Sequence, residues 1–142
     1  MSQTLMPVAD SRQRILTNLR IMAGEQVALP EAHGRVLAED VASRVVQPPM
    51  AVSAMDGYAV RTADIATVPV SLNIVGEVPA GGLHSGTLSA GEAVRIFTGA
   101  ALPAGADAIV IQEDTVRDDD TVTIKKSVTE GHYVRQAGLD FS

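Results

Sequence analysis

The chain has 142 residues, 46% of them hydrophobic but only 3% aromatic and none Trp, so its core must be built from Val, Ile, Leu, Ala and Met. A net charge of −6 argues against nucleic acid as the main partner, because phosphate backbones demand a basic surface. The absence of Cys excludes disulfides, thiolate chemistry and Cys-type zinc sites, and no apolar run reaches the ~18 residues of a membrane helix.

In chain order, Asp10 or Ser11 can cap a helix whose apolar face is Ile15, Leu19 and Met22, with Gly24 as its stop. Val27 to Pro30 reads as a short strand, and Glu31 to Gly34 as a helical turn closed by glycine. Arg35 to Val46 reads as extended, or as two short strands, up to the break at Gln47-Pro48-Pro49. After that break the pattern is β. Tyr58 to Arg61 is one short strand. Val68 to Val75 alternates apolar and polar residues, and its Pro69 marks a strand beginning or an edge. Ala93 to Phe97 and Ala108 to Ile111 are apolar strands. Asp118 to Asp120 forms a hairpin tip between Thr115 to Arg117 and Thr121 to Ile124. The expected fold is mainly β, an irregular module of short coiled strands with one N-terminal helix. Short strands at this spacing suggest a sandwich or barrel. Met1 to Asp10 carries no signal-peptide pattern, so the cytoplasm is the expected compartment.

Two loops carry polar groups beside glycine. In Pro48 to Tyr58, Ser53 and Asp56 stand three residues apart next to Gly57. A carboxylate there can bind Mg²⁺, which takes one or two carboxylates plus substrate phosphates; an Asp-Gly turn explains the same letters. In Ile96 to Asp107, Thr98 and Gly99 open a small-residue loop whose backbone N–H groups could face an anion. The Gly-Lys-Ser/Thr ending of a P-loop is absent, and an ordinary connection between strands remains the alternative. His33, His84 and His132 lack zinc spacing, and Asp118 to Asp120 lack that of a calcium loop.

Ser53 to Val60, read with Glu31 to Val41, Gly76 to Gly81, Gly91 to Ala100, Pro103 to Val110 and Gln112-Glu113, resembles the N-terminal region of the molybdopterin molybdenumtransferases, the family of bacterial MoeA and the gephyrin E domain. The resemblance runs from Glu31 to Asp140 in family order. It implies an enzyme of molybdenum-cofactor synthesis that takes molybdate and adenylated molybdopterin as substrates, uses Mg²⁺ and releases AMP. It implies catalytic roles for Asp56, Thr98 and Asp140, with Asp56 also holding the metal. Ser53, Gly57, Gly99 and Arg135 would bind substrate, Thr98 and the Gly99 N–H by contacting the anion.

The resemblance further implies a division into residues 1–47 (the helix and part of an elongated domain I), 48–135 (the β module, domain II) and 136–142 (the return to domain I). The implied partners are a second copy of the chain, which completes the cleft, and a molybdopterin adenylyltransferase. No nucleic acid and no membrane are expected. Family chains are roughly three times longer, so the expectation is a fragment with little or no catalysis alone. A non-catalytic interaction or dimerisation module of gephyrin-like type is the alternative.

Overall fold

The computed structural model describes residues 5–142. The chain divides into two compact units, Met1–Ala42 and Ser43–Ser142. Residues 1–4 of the first expected segment lie outside the described residues.

In the first unit, α1 (Val8–Thr17) follows Pro7 at its N-cap and buries none of its residues. It ends seven residues before the expected stop at Gly24. Asn18 closes it, with its N–H on the Ile15 carbonyl, the Leu19 N–H on the Leu16 carbonyl, and the Asn18 side chain on the Arg14 carbonyl at 2.8 Å. Thr17 and Asn18 are poor helix formers that bond back to the preceding turn, which favours a stop there. The strand expected at Val27 to Pro30 does not form, a 3₁₀ turn occupying Leu29–Glu31, and of the two readings for Arg35 to Val46 the two-strand one fails. Val36, Leu37 and Val41 remain exposed, and a strand without a ladder partner has nothing to stabilise it.

The second unit holds eight strands: β1 (Val52–Ser53), β2 (Gly57–Val60), β3 (Val70–Val78), β4 (Glu92–Ile96), β5 (Ala108–Ile111), β6 (Thr115–Asp118), β7 (Thr121–Ile124) and β8 (Val134–Arg135). Six of them make one sheet in the order β5-β2-β4-β3-β7-β6, while β1 and β8 pair separately. All neighbours are antiparallel except β3 and β4, which run parallel with an irregularity between Ile74 and Gly76. The mainly β expectation holds. The large sheet is open, with β5 and β6 at its edges, so it is not a closed barrel. Pro69 does precede a strand, but β3 is interior.

The sheet buries both faces. Tyr58, Val60, Ala93, Ala108 and Val110 join Leu72, Val122 and Ile124 in one cluster. Ala59, Val94, Ile96 and Ile109, the alternate residues of the same strands, join Val78, Leu88 and Ala100 in the other. A strand covered on both sides reads as a continuous apolar run, which is why β2 and β5 lack alternation. Each large aliphatic side chain so buried contributes about 1.5–3 kcal/mol.

Candidate functional site

The register brings four loops to one end of the sheet. Gly57, the first residue of β2, lies opposite Ile96, the last of β4, and opposite Ile111, the last of β5. Val78, the last of β3, is also paired with Ile96. Asp56, Phe97-Thr98, Gln112 and Pro79 to Gly82 therefore leave the sheet side by side. Among them Asp56 and Thr98, 42 residues apart in sequence, meet directly. The Thr98 N–H and hydroxyl both donate to Asp56 Oδ1, each at 2.8 Å.

Gly99 makes this aim possible. Its φ of +82° sits third in a turn closed by the Ala100 N–H on the Phe97 carbonyl at 2.9 Å, a geometry that favours glycine. The turn points the Thr98 N–H at the carboxylate. The backbone bond from Thr98, then its hydroxyl, hold the Asp56 carboxyl below the usual aspartate range, with the Arg95 charge adding to them. Oδ2 accepts no hydrogen bond among the described residues.

Other expected binding residues are engaged elsewhere. Ser53 is only 1% exposed, and its hydroxyl donates to the Met55 carbonyl at 2.6 Å while receiving the Met55 N–H. It builds the loop and does not face a ligand. The anticipated anion contact through the Gly99 N–H is likewise taken, because that N–H donates to the Ser53 carbonyl at 2.9 Å. Thr98 directs both donors to Asp56, leaving its oxygen lone pairs as what it can offer. Gly57 is packed between strands: a Cβ there would lie 2.1 Å from the Val110 carbonyl oxygen. Its glycine is explained by that close approach.

Arg135 and Asp140 form a second centre on the β1–β8 ribbon. Arg135 Nη2 reaches both Asp140 oxygens, at 2.5 and 2.7 Å. The ribbon joins the first centre through backbone pairing, since Arg135 lies opposite Val52 and the Ala54 N–H donates to the Tyr133 carbonyl. Among the described residues no three His, Asp or Glu side chains gather as a metal cage. Two open concavities, of about 360 Å³ beside Ile15 and about 470 Å³ beside Asp107, exclude Asp56 and Thr98 from their linings.

Arg95 also belongs to this strand end, bonded to the Gly57 carbonyl and the Gln112 side chain. Its sequence signal is a lone charge inside the apolar stretch Ala93 to Phe97.

Comparison with known proteins bears on the family and the overall fold. The chain is 43% identical over 135 residues to a molybdopterin molybdenumtransferase of Nostoc sp., covering 92% of this chain and 29% of that protein. It is 42% identical over 118 residues to molybdopterin molybdenumtransferase 2 of Mycobacterium tuberculosis, covering 80% of this chain and 29% of the relative. It thus spans about three-tenths of the length of these curated relatives. A crystal structure of the molybdopterin biosynthesis moeA protein from Pyrococcus horikoshii OT3 superposes with a TM-score of 0.78 at 33% identity, covering 98% of this chain and 38% of that one. The family described as the MoeA N-terminal region (domain I and II) matches residues 6–142. The chain belongs to that family.

Proposed function

We propose that this chain serves as the N-terminal part of a transferase that inserts molybdenum from molybdate into adenylated molybdopterin and releases AMP, a step of molybdenum-cofactor synthesis. The observation that carries this reading is the Asp56–Thr98 pair: a carboxylate kept ionised, with one oxygen unengaged, at the end of a rigid sheet. The names of the relatives supply the substrate class.

A single carboxylate does not make a metal cage. It does fit Mg²⁺, which takes one or two protein carboxylates and fills its remaining positions with phosphate oxygens and water. Asp56 Oδ2 would hold the ion, and bound Mg²⁺ would neutralise charge on the phosphate linkage to AMP. Thr98 keeps Asp56 anionic and oriented. Asp140, steadied by Arg135, is the second acid of the cleft, and Arg135 is a candidate phosphate contact. On this reading residues 1–47 and 136–142 belong to domain I and 48–135 to domain II. A second copy of the chain completes the cleft, a molybdopterin adenylyltransferase supplies the substrate, and the compartment is the cytoplasm.

The interaction-module alternative draws on one observation, the exposure of Ile15, Leu16, Leu19 and Met22 within the first unit. The two readings are separated by measuring AMP release from adenylated molybdopterin with molybdate and Mg²⁺ in a protein of the relatives' length carrying this chain. Asp56→Asn should abolish release while the far-UV spectrum stays unchanged. Full activity in that variant would remove the assigned role, and no activity in the parent would favour the module.

A further inference from the structure

Arg95 projects from β4 opposite Tyr58 of β2. Its guanidinium carbon lies 5.2 Å from the centre of the Tyr58 ring and 4.6 Å from that of Phe97. Nη1 donates to the Gly57 carbonyl at 3.0 Å, and Nη2 donates to Gln112 Oε1 at 2.8 Å. The Gln112 N–H in turn donates to the Asp56 carbonyl at 3.1 Å. One planar group thus grips the residue after Asp56, the residue before Thr98, and the glutamine that anchors the Asp56 backbone.

We propose that Arg95 is the positioning residue of this site, a clamp that fixes the Asp56 turn and the Thr98 turn relative to each other so that the carboxylate is presented in one orientation. The proposal deepens the function proposed above and rests on it for its chemical meaning. The physical case depends on the shape of the group. A guanidinium offers donors in a rigid fork and a flat face to each ring, whereas a lysine ammonium is a point charge with neither. Charge alone would therefore not reproduce the clamp. The side chain of Gln112 makes no other hydrogen bond among the described residues, so its amide oxygen serves this contact alone.

The test uses nuclear magnetic resonance on this chain, reading hydrogen exchange of the Thr98 amide, the N–H aimed at Asp56. Arg95→Lys keeps the charge and removes the fork. We expect amide signals of β2, β4 and β5 to stay dispersed and their interior amides to keep parental rates, while exchange of the Thr98 amide quickens about five- to tenfold. A folded Arg95→Lys chain with the parental Thr98 exchange rate would overturn the proposal. Should that variant fail to fold, Gln112→Ala decides: quicker Thr98 exchange supports the clamp, and an unchanged rate overturns it. None of these readings needs substrate, so failure of the transferase reading would show separately, as absent AMP release from a protein whose clamp is intact.

Discussion

Thr98 gives both of its hydrogen-bond donors to a single oxygen of Asp56, each at 2.8 Å. The two donors are separable by mutation, because one is backbone and one is side chain. Thr98→Val keeps the branched shape and the N–H but loses the hydroxyl. The Asp56 midpoint should rise in that variant, by less than the whole depression, while Thr98→Ser should leave it near the parental value. Carboxyl ¹³C titration measures both, and a Thr98→Val midpoint equal to the parent's would show that the hydroxyl contributes nothing.

The same pair has a consequence for stability against pH. A carboxyl depressed in the folded state is deprotonated more readily there than in the unfolded chain, so it stabilises the fold at neutral pH. That contribution is complete above the unfolded value of about 3.9 and is lost as pH falls through the lower folded value. Denaturant titrations of the parent and of Asp56→Asn should therefore differ most above pH 4 and converge in stronger acid. Curves that stay parallel into acid would contradict the assignment.

Gly57→Ala should destabilise the second unit by about 3 kcal/mol or more, at the upper end of overpacking effects. The new methyl would meet the Val110 carbonyl oxygen at 2.1 Å, and two paired strands cannot both move aside. Urea unfolding gives the number. A cost below about 1 kcal/mol would mean that β2 and β5 yield more easily than their ladder suggests.

Arg135 and Asp140 call for the opposite expectation. Their side chains are 41% and 39% exposed, so the ion pair should contribute only about 0.2–1 kcal/mol to folding in a double-mutant cycle. If Asp140→Ala removes activity in a protein of the relatives' length, lost stability will not account for it. A coupling of several kcal/mol would reverse that conclusion.

Burial separates two isoleucines that look alike in sequence. Ile109 is fully buried and Ile15 is 60% exposed. Ile109→Ala should cost about 2–5 kcal/mol, while Ile15→Ala should stay within about 0.5 kcal/mol. Equal costs would show that Ile15 is covered in solution.

Much of the second unit was readable because its strands obey simple rules. The apolar runs at Ala93 and Ala108, the alternation after Pro69 and the aspartate tip at Asp119 each mark what forms there. The first unit was less readable. Val36, Leu37 and Val41 have strand-forming side chains but no ladder to join, and a helical face from Ile15 to Met22 does not prevent Asn18 from capping early.

At the site, Asp56 and Thr98 were each visible as polar groups beside glycine. Their meeting depends on the β2–β4 register, which pattern alone does not give. Ser53 and Gly99 differ between sequence and structure for a related reason. A hydroxyl or N–H near a glycine looks available to a ligand until its inward partner is known. Arg95 is not marked as a site residue by pattern, because its partners Gly57 and Gln112 are distant in sequence.

The chain enters and leaves the β module at one place. Gln47 bridges to Phe141, and Val52 pairs with Arg135. Between those doorposts the whole six-stranded sheet is a side excursion that returns to its starting point. A pull applied to both ends of this unit would therefore load the Gln47–Phe141 and Val52–Arg135 pairings before it reached any rung of the six-stranded sheet. Arg135 and Asp140 stand at that clasp, so opening it would disturb their ion pair first.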